Sequence, residues 1–166
     1  MDPEIRNETD GDVHAIEAVT VSAFLNAPHT SHTEHLIVNA LRNAGQLTVS
    51  LVAETEGTII GHVAVSPVAI SDGSRDWFGL GPISVAPEYQ RRGIGSRLMC
   101  EALRVLRERG AAGCVLLGEP AYYSRFGFEA DPGLTLPRVP AEYFQSVSFS
   151  ANRPRGIVTY DSAFEI

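Results

Sequence analysis

One stretch constrains the architecture more than any other. From residue 77 the chain runs through an apolar segment, "WFGLGPISV", a turn, "APEYQRRG", a long amphipathic segment and a second apolar run, "AGCVLLGEP". Ile94, Leu98, Ala102, Val105 and Leu106 recur at helical spacing, so a helix spans about residues 93–109 and stops at Gly110. A strand, a helix and a strand in succession bring the chain back in its original direction. That demands a parallel pair of strands with the helix packed on one face of the sheet.

The surrounding sequence is built differently. β-branched residues alternate on both sides of Glu56-Gly57 in "LTVSLVAETEGTIIGHVAVSPVAI", the pattern of two antiparallel strands joined by a tight turn. Residues 3–8 read as a first strand. Val13, Ile16, Val19 or Thr20 and Phe24 are spaced as one helix face, with Asp10 or Asp12 available to cap it. Ser31-His32-Thr33-Glu34 matches a capping box, which starts a second helix over about residues 32–44, ended by Gly45. "AYYSRFGFEA" reads as a short helix leading into a strand, residues 131–155 as a proline-bearing loop region, and "GIVTY" as a last strand. The expected fold is α/β (α+β): a mixed, mostly antiparallel central sheet with flanking helices, in one domain over residues 1–166.

Charge and composition exclude several functions. The formal charge of −7, from 20 acids against 13 bases, argues against a nucleic-acid binder, which needs a basic surface to displace counterions. No run approaches the roughly 18–20 apolar residues of a membrane helix, so no membrane partner is expected. The acidic start "MDPEIRNETDGD" is unlike a signal peptide, and a cytoplasmic location is the default expectation. Cys100 and Cys114 match neither a disulfide framework nor a zinc spacing; both read as small buried hydrophobes.

The turn before the long helix is the feature that calls for a ligand. Gln90-Arg91-Arg92-Gly93-Ile94-Gly95-Ser96-Arg97 places two glycines and three arginines at a helix start. A helix start offers unpaired N–H groups and the positive end of its dipole, and glycines remove the β-carbons that would hold an anion away. A glycine-bearing turn beside arginines on a solvated helix face accounts equally for the pattern taken alone. A dinucleotide fingerprint lacks its third glycine, since Leu98 stands there, and a triphosphate loop lacks its lysine. Upstream, Gly79, Gly81 and Pro82 interrupt the strand and mark a bulge or a close backbone approach. A strand that leaves its neighbour can pair with an extended, amide-bearing ligand. Pyrophosphate at the collar and an amide-bearing arm along the strand together describe coenzyme A.

These segments, "ISVAPEYQRRGIGSRLM" and, in order downstream, "YYSRFGFE", resemble the GNAT superfamily of acyl-coenzyme A dependent N-acetyltransferases over roughly residues 3–131. The first follows that family's strand, Gln/Arg-x-x-Gly-x-Gly/Ala and helix; the second follows its Tyr-x-x-x-Gly-Phe segment, Tyr123 to Phe128 here. The resemblance implies pyrophosphate binding by N–H groups around Arg91 to Ser96, pairing of Ile83, Ser84 and Val85 with the pantetheine arm, and acetyl-coenzyme A as cosubstrate without a metal. It also implies that Tyr123 protonates the departing thiolate, while an N–H near Val85 polarises the thioester carbonyl. Many members carry a glutamate on the strand before the collar; this chain has Gly79, Leu80, Gly81 and Ile83 there. The base therefore stays open between Glu119, His62 and Glu54, acting through water, with Glu119 the leading choice, and a water chain or an amine arriving already neutral would need no base at all; Glu119 also stands where it would cap the next helix. His62 reads equally as a half-buried structural histidine. Tyr122 is expected to face away from Tyr123.

The acceptor is expected to be a small-molecule or protein amine, met by residues 25–35 on one side and the segment around "PAEYF" on the other. His29, His32 and His35 lack the acids or cysteines that would complete a metal site and read as a polar loop over the acceptor. Strands at the C-terminal end offer a route to a homodimer.

Overall fold

The computed structural model describes residues 2–28 and 30–166. The hairpin forms where the alternation places it. β2 (Val49–Thr55) and β3 (Thr58–Pro67) pair antiparallel. Glu56 (φ 50°) and Gly57 (φ 79°) both take the left-handed conformation that a two-residue turn needs to match the strand twist. β1 (Glu4–Asn7) adds to the free side of β2, and β5 (Trp77–Val85) to the free side of β3. α3 (Ile94–Glu108) then crosses over the sheet, and β6 (Gly113–Leu117) runs parallel to β5. β8 (Phe144–Ser148) closes the main sheet, whose order is β1-β2-β3-β5-β6-β8. β5–β6 is its one parallel pair, so the mixed, mostly antiparallel expectation holds.

Helices cover both faces. α3 lies on the first face through Leu98, Met99, Ala102 and Leu106, all fully buried. Each large side chain among them contributes about 1.5–3 kcal/mol by leaving water. Gly61 permits this approach, since a β-carbon there would stand 3.1 Å from Leu98. α1 (Val13–Phe24) and α2 (Glu34–Asn43) cover the other face, where Ile16 and Val38 pack on Val52 and Ala64.

Several sequence expectations need correction. α2 begins at Glu34 rather than 32, because the capping box forms only in half. Glu34 accepts the Ser31 N–H (3.1 Å), but Ser31 Oγ takes the Thr33 N–H (3.3 Å) instead of the helix's own third amide. On α3, Cys100 is exposed, not buried; Met99 and Leu103 carry the buried stripe, and Val105 is only half-buried. The strand expected after Phe128 reduces to one bridge between Glu129 and Ser146. The "loop-rich" 131–155 segment contains β8, a full member of the main sheet. The last strand, β9 (Gly156–Thr159), joins β4 (Ala69–Ile70) and β7 (Leu134–Thr135) in a separate three-stranded sheet. Among the described residues, no helix is long and apolar enough to cross a membrane.

Candidate active site

The site originates in an unfinished pair of strands. β5 and β6 are matched only from Trp77–Gly79 against Gly113–Val115. Beyond that point β5 carries one residue more than β3 between the Val63–Ile83 and Val65–Leu80 pairs, a bulge centred on Gly81 (φ 137°) and the cis Gly81–Pro82 peptide. Just before it, a β-carbon on Gly79 would lie 2.7 Å from the Tyr160 ring, so only glycine fits. The rest of β5 has β3 on one side and no strand on the other.

Register decides which groups face that gap. Ala86 donates its N–H to the Ile60 carbonyl (2.8 Å), so in the alternating antiparallel ladder Ser84 turns its main-chain groups towards His62 of β3. The main-chain groups of Ile83 and Val85 therefore point away from β3, into the gap. The Val85 carbonyl is taken there by the Gln90 side-chain amide (3.0 Å). The Ser84 side chain is buried on the α1 face, 3.4 Å from the Thr20 hydroxyl. Of the three strand residues named from sequence, Ile83 and Val85 can meet a ligand lying in the gap and Ser84 cannot.

At the end of β5 a 3₁₀ turn (Pro87–Tyr89) leads into the collar, where Arg91 (φ 65°) and Gly93 (φ 82°) are both left-handed. The first helical hydrogen bond of α3 runs from Arg97 N–H to the Gly93 carbonyl (3.1 Å). The N–H groups of Gly93, Ile94, Gly95 and Ser96 thus have no acceptor within the helix and stand at its positive end. They border a cavity of about 470 Å³, which Val85, Gln90 and Arg91 also line. A β-carbon on Gly95 would sit 3.7 Å from the Tyr122 hydroxyl and 3.8 Å from Val85, on the cavity's floor.

The arginines divide differently from their order in sequence. Arg91 lines this cavity. Arg92 stacks on Tyr89, 5.5 Å from the ring centre, and does not line it. Arg97 faces another hollow beside Cys100, Glu101 and Arg104. The second cation at the collar is Arg125, which stacks 4.4 Å over the Tyr122 ring and donates to the Tyr122 carbonyl (2.9 Å). Tyr122 itself meets the Ser96 hydroxyl at 3.1 Å, closing the far wall.

Against the expectation that they diverge, the two tyrosines of α4 (Pro120–Tyr123) pack together, their rings edge to face at 4.9 Å, with only Tyr122 lining the collar cavity. Tyr123 lies over Gly118, just past the end of β6, where any β-carbon would strike its ring. Burial, with a smaller contribution from Tyr122, raises the Tyr123 phenol above its ordinary pKa, and its hydroxyl makes no hydrogen bond among the described residues.

The candidate bases are scattered. Glu119 occupies the cap position of α4, but its side chain is exposed and does not cap. Glu54 pairs with Arg6 (3.1 Å). His62 is fully buried; its Nε2–H donates to Ser50 Oγ (2.8 Å), and Ser50 donates in turn to Glu8, which Arg42 grips. Burial depresses His62 to about 4, with Glu8 opposing and Arg42 assisting. Burial pushes the Glu8 carboxyl up, but the hydrogen bonds from Arg42 and Ser50 outweigh it and hold it low. This chain ties β1, β2, β3 and α2 together beneath α1. None of the three candidates lines either the collar cavity or the larger one, and neither does Tyr123.

The larger cavity, about 730 Å³, opens at the other end of the splayed segment, against Leu80, Gly81 and Pro82 of β5 and Leu117 of β6. Phe24 and Ile37 wall it from α1 and α2; β9 and the C-terminal turn close it. Its charged groups are Glu34, Asp161, Glu165 and Arg138. Two cavities therefore lie along one strand edge, with Pro82 on one and Val85 on the other, about 10 Å apart at the rise of an extended chain.

An acetyltransferase (GNAT) domain family matches residues 4–130. The chain belongs to the GNAT acetyltransferase family. A GNAT family acetyltransferase from Brucella melitensis, solved with acetyl-CoA, superposes with a TM-score of 0.88 at 45% identity, covering 98% of this chain and 97% of that one. The GNAT protein YhbS from Escherichia coli, solved with CoA, superposes at 0.90 with 36% identity, covering 100% and 93%. In direct sequence comparison, the uncharacterized N-acetyltransferase YhbS of strain K12 is 43% identical over 115 residues, 69% of either chain.

Several groups at this GNAT site escaped the sequence reading. Tyr122 and Arg125 belong to the collar, and only the phase of a four-residue helix decides that Tyr122 turns towards it. Glu34, Asp161 and Glu165 reach one cavity from the two ends of the chain, and no local pattern joins them. His32 (φ 60°) precedes α2 and His35 is its second residue; His29 falls outside the described residues. Among the described residues, no group of three or more His, Cys, Asp or Glu side chains is placed to hold a metal.

Proposed function

We propose that the chain transfers an acetyl group from acetyl-coenzyme A to a primary amine, both bound at once. The observation that carries this reading is the pair of cavities joined by the unpaired edge of β5. The collar suits a pyrophosphate: four free N–H groups, a glycine floor at Gly95, and Arg91 with Arg125 at the walls. The main-chain groups of Ile83 and Val85 suit the amides of an extended arm leading from the collar towards the larger cavity. Complexes of the Brucella melitensis and Escherichia coli relatives with acetyl-CoA and CoA support the same ligand.

The chemistry of this reading runs as a direct transfer. The acceptor arrives as an ammonium ion and loses a proton, leaving a lone pair on nitrogen. That nitrogen forms a bond to the thioester carbonyl carbon, the C–S bond breaks, the sulfur takes a proton from Tyr123, and the second proton released by the nitrogen passes through water to restore the phenol. An N–H at the β5 edge near Val85 stabilises the developing oxyanion. Tyr123 is the proton donor to sulfur that the family resemblance implies: its hydroxyl is uncommitted among the described residues, although burial raises its pKa and makes it a weaker acid than a free phenol. The acceptor's proton leaves through water towards Glu34, Asp161 or Glu165, since Glu119, His62 and Glu54 do not reach the larger cavity. The products are an acetamide, free coenzyme A and one proton.

Thermal unfolding with and without acetyl-coenzyme A, followed by thiol release with a panel of amines, tests this reading. Acetyl-coenzyme A at 100 times its Kd adds about 2.7 kcal/mol, a rise of roughly 5–11 °C for a chain of this size. NAD and ATP are expected to give none. The chain contains no lysine, so acetylation of its own side-chain amines adds no background. A rise without thiol release would identify a binding module rather than an enzyme. No rise would leave the collar as an ordinary helix start.

A further inference from the structure

Given the acetyl-transfer reading, we infer that the larger cavity takes a primary monoamine carried on an apolar body, without a free acid and without multiple hydroxyls. Two observations combine here. The first is the lining. Leu117 and Ile157, from different sheets, are 46% and 50% exposed where they border the cavity, beside Phe24, Ile37, Leu80 and Phe164. Large aliphatic side chains left this open inside a concavity mark a surface made for an apolar ligand.

The second observation is the charge. Three carboxylates stand against one guanidinium. Glu34 is oriented by the Thr30 hydroxyl (2.6 Å) and the Ser31 N–H (3.1 Å). Burial raises its carboxyl, but these hydrogen bonds prevail and keep it ionised at neutral pH. Asp161 is fixed by the Ala163 N–H (2.9 Å). Glu165 makes no hydrogen bond or ion pair among the described residues. Arg138, the single cation of the lining, is exposed at the rim. Such a site draws in an ammonium group and repels a carboxylate.

The two together narrow the acceptor. A polyamine would pair with the carboxylates but leave Leu117 and Ile157 without an apolar partner. An aminoglycoside would turn part of its hydroxyls to the aliphatic wall of Leu80, Leu117 and Ile157, which cannot hydrogen-bond them. An amino acid would bring a carboxylate among three others. An apolar monoamine has none of these conflicts.

The test is thiol release from acetyl-coenzyme A by the full chain with 2-phenylethylamine, L-phenylalanine, spermidine and kanamycin as probes. The expected result is a kcat/KM for 2-phenylethylamine at least about 10-fold above each of the others. Ile157→Asn, at a half-exposed position on β9, should lower that value about 10-fold while the Kd for coenzyme A stays unchanged. Glu165→Gln should narrow the preference for 2-phenylethylamine over L-phenylalanine. A preference for spermidine, kanamycin or L-phenylalanine overturns the inference and leaves the transfer reading intact. So does a thermal rise with acetyl-coenzyme A and no turnover of 2-phenylethylamine. If acetyl-coenzyme A gives no thermal rise, the transfer reading itself has failed, and the acceptor class falls with it. Should Ile157→Asn not fold, the ranking of the four amines decides alone.

Discussion

Gly95→Ala separates what the collar does for folding from what it does for binding. Gly95 is the second residue of α3 and has an ordinary helical conformation, so alanine meets no backbone obstacle. Its methyl would rest at 3.7 Å from the Tyr122 hydroxyl and 3.8 Å from Val85, both normal contacts. Replacing glycine by alanine in a helix stabilises by up to about 1 kcal/mol, less in the first turn, so Tm should rise by about 1–4 °C. The same methyl stands on the floor of the cavity, between the N–H donors and any anion seated on them. Losing one charge-assisted hydrogen bond of about 1.5–3 kcal/mol weakens binding about 10- to 150-fold. Calorimetric titration with coenzyme A, paired with thermal unfolding of the free protein, reads both quantities. The expected outcome is a more stable protein that binds more weakly. A variant that melts higher and binds coenzyme A as tightly as the parent would refute the assignment of the collar N–H groups to the pyrophosphate.

Two further outcomes follow from the site and its surroundings. Tyr123→Phe removes only the hydroxyl, so kcat should fall by about 10²–10⁴ with coenzyme A affinity kept; a rate within threefold of the parent would remove Tyr123 from the proton path. His62 has its pKa depressed to about 4 from 6.5, so the folded state resists its protonation; its contribution to stability is complete above pH 6.5 and is lost as pH falls towards 4. Between pH 7.5 and 5 that amounts to about 2 kcal/mol of unfolding free energy. Urea titrations of the parent and of His62→Gln should differ in pH slope by that amount, whatever the variant's absolute stability, and equal slopes would count against a neutral buried His62.

Legibility in the sequence depended on whether a feature was local. The α3 crossover was readable because Ile94, Leu98, Ala102 and Leu106 keep one helical phase, and the hairpin because Glu56-Gly57 sits between alternating strands. The phase was not carried far enough to place every residue of α3. Cys100 and Arg97 fall off the buried stripe that Met99 and Leu103 complete, which exposes the cysteine and turns the arginine away from the collar. β8 was missed because "FQSVS" reads as polar. Its Gln145 is nonetheless buried, donating to the Gly118 carbonyl (2.9 Å) and so fastening the strand to the end of β6. The acidic wall of the larger cavity was unreadable for another reason. Glu34 and Asp161 are brought together by the packing of α2 against the C-terminal turn, a contact with no local signature.

The half-paired β5 also bears on how the molecule avoids its own neighbours. A strand with unmet main-chain groups at the rim of a sheet invites another protein's strand, the first step towards aggregation. Here the unmet stretch lies inside the sheet, with β3 against one side and β6 diverging from the other. The main-chain groups that a neighbouring molecule's strand would need are therefore not offered along the outer rim of the sheet.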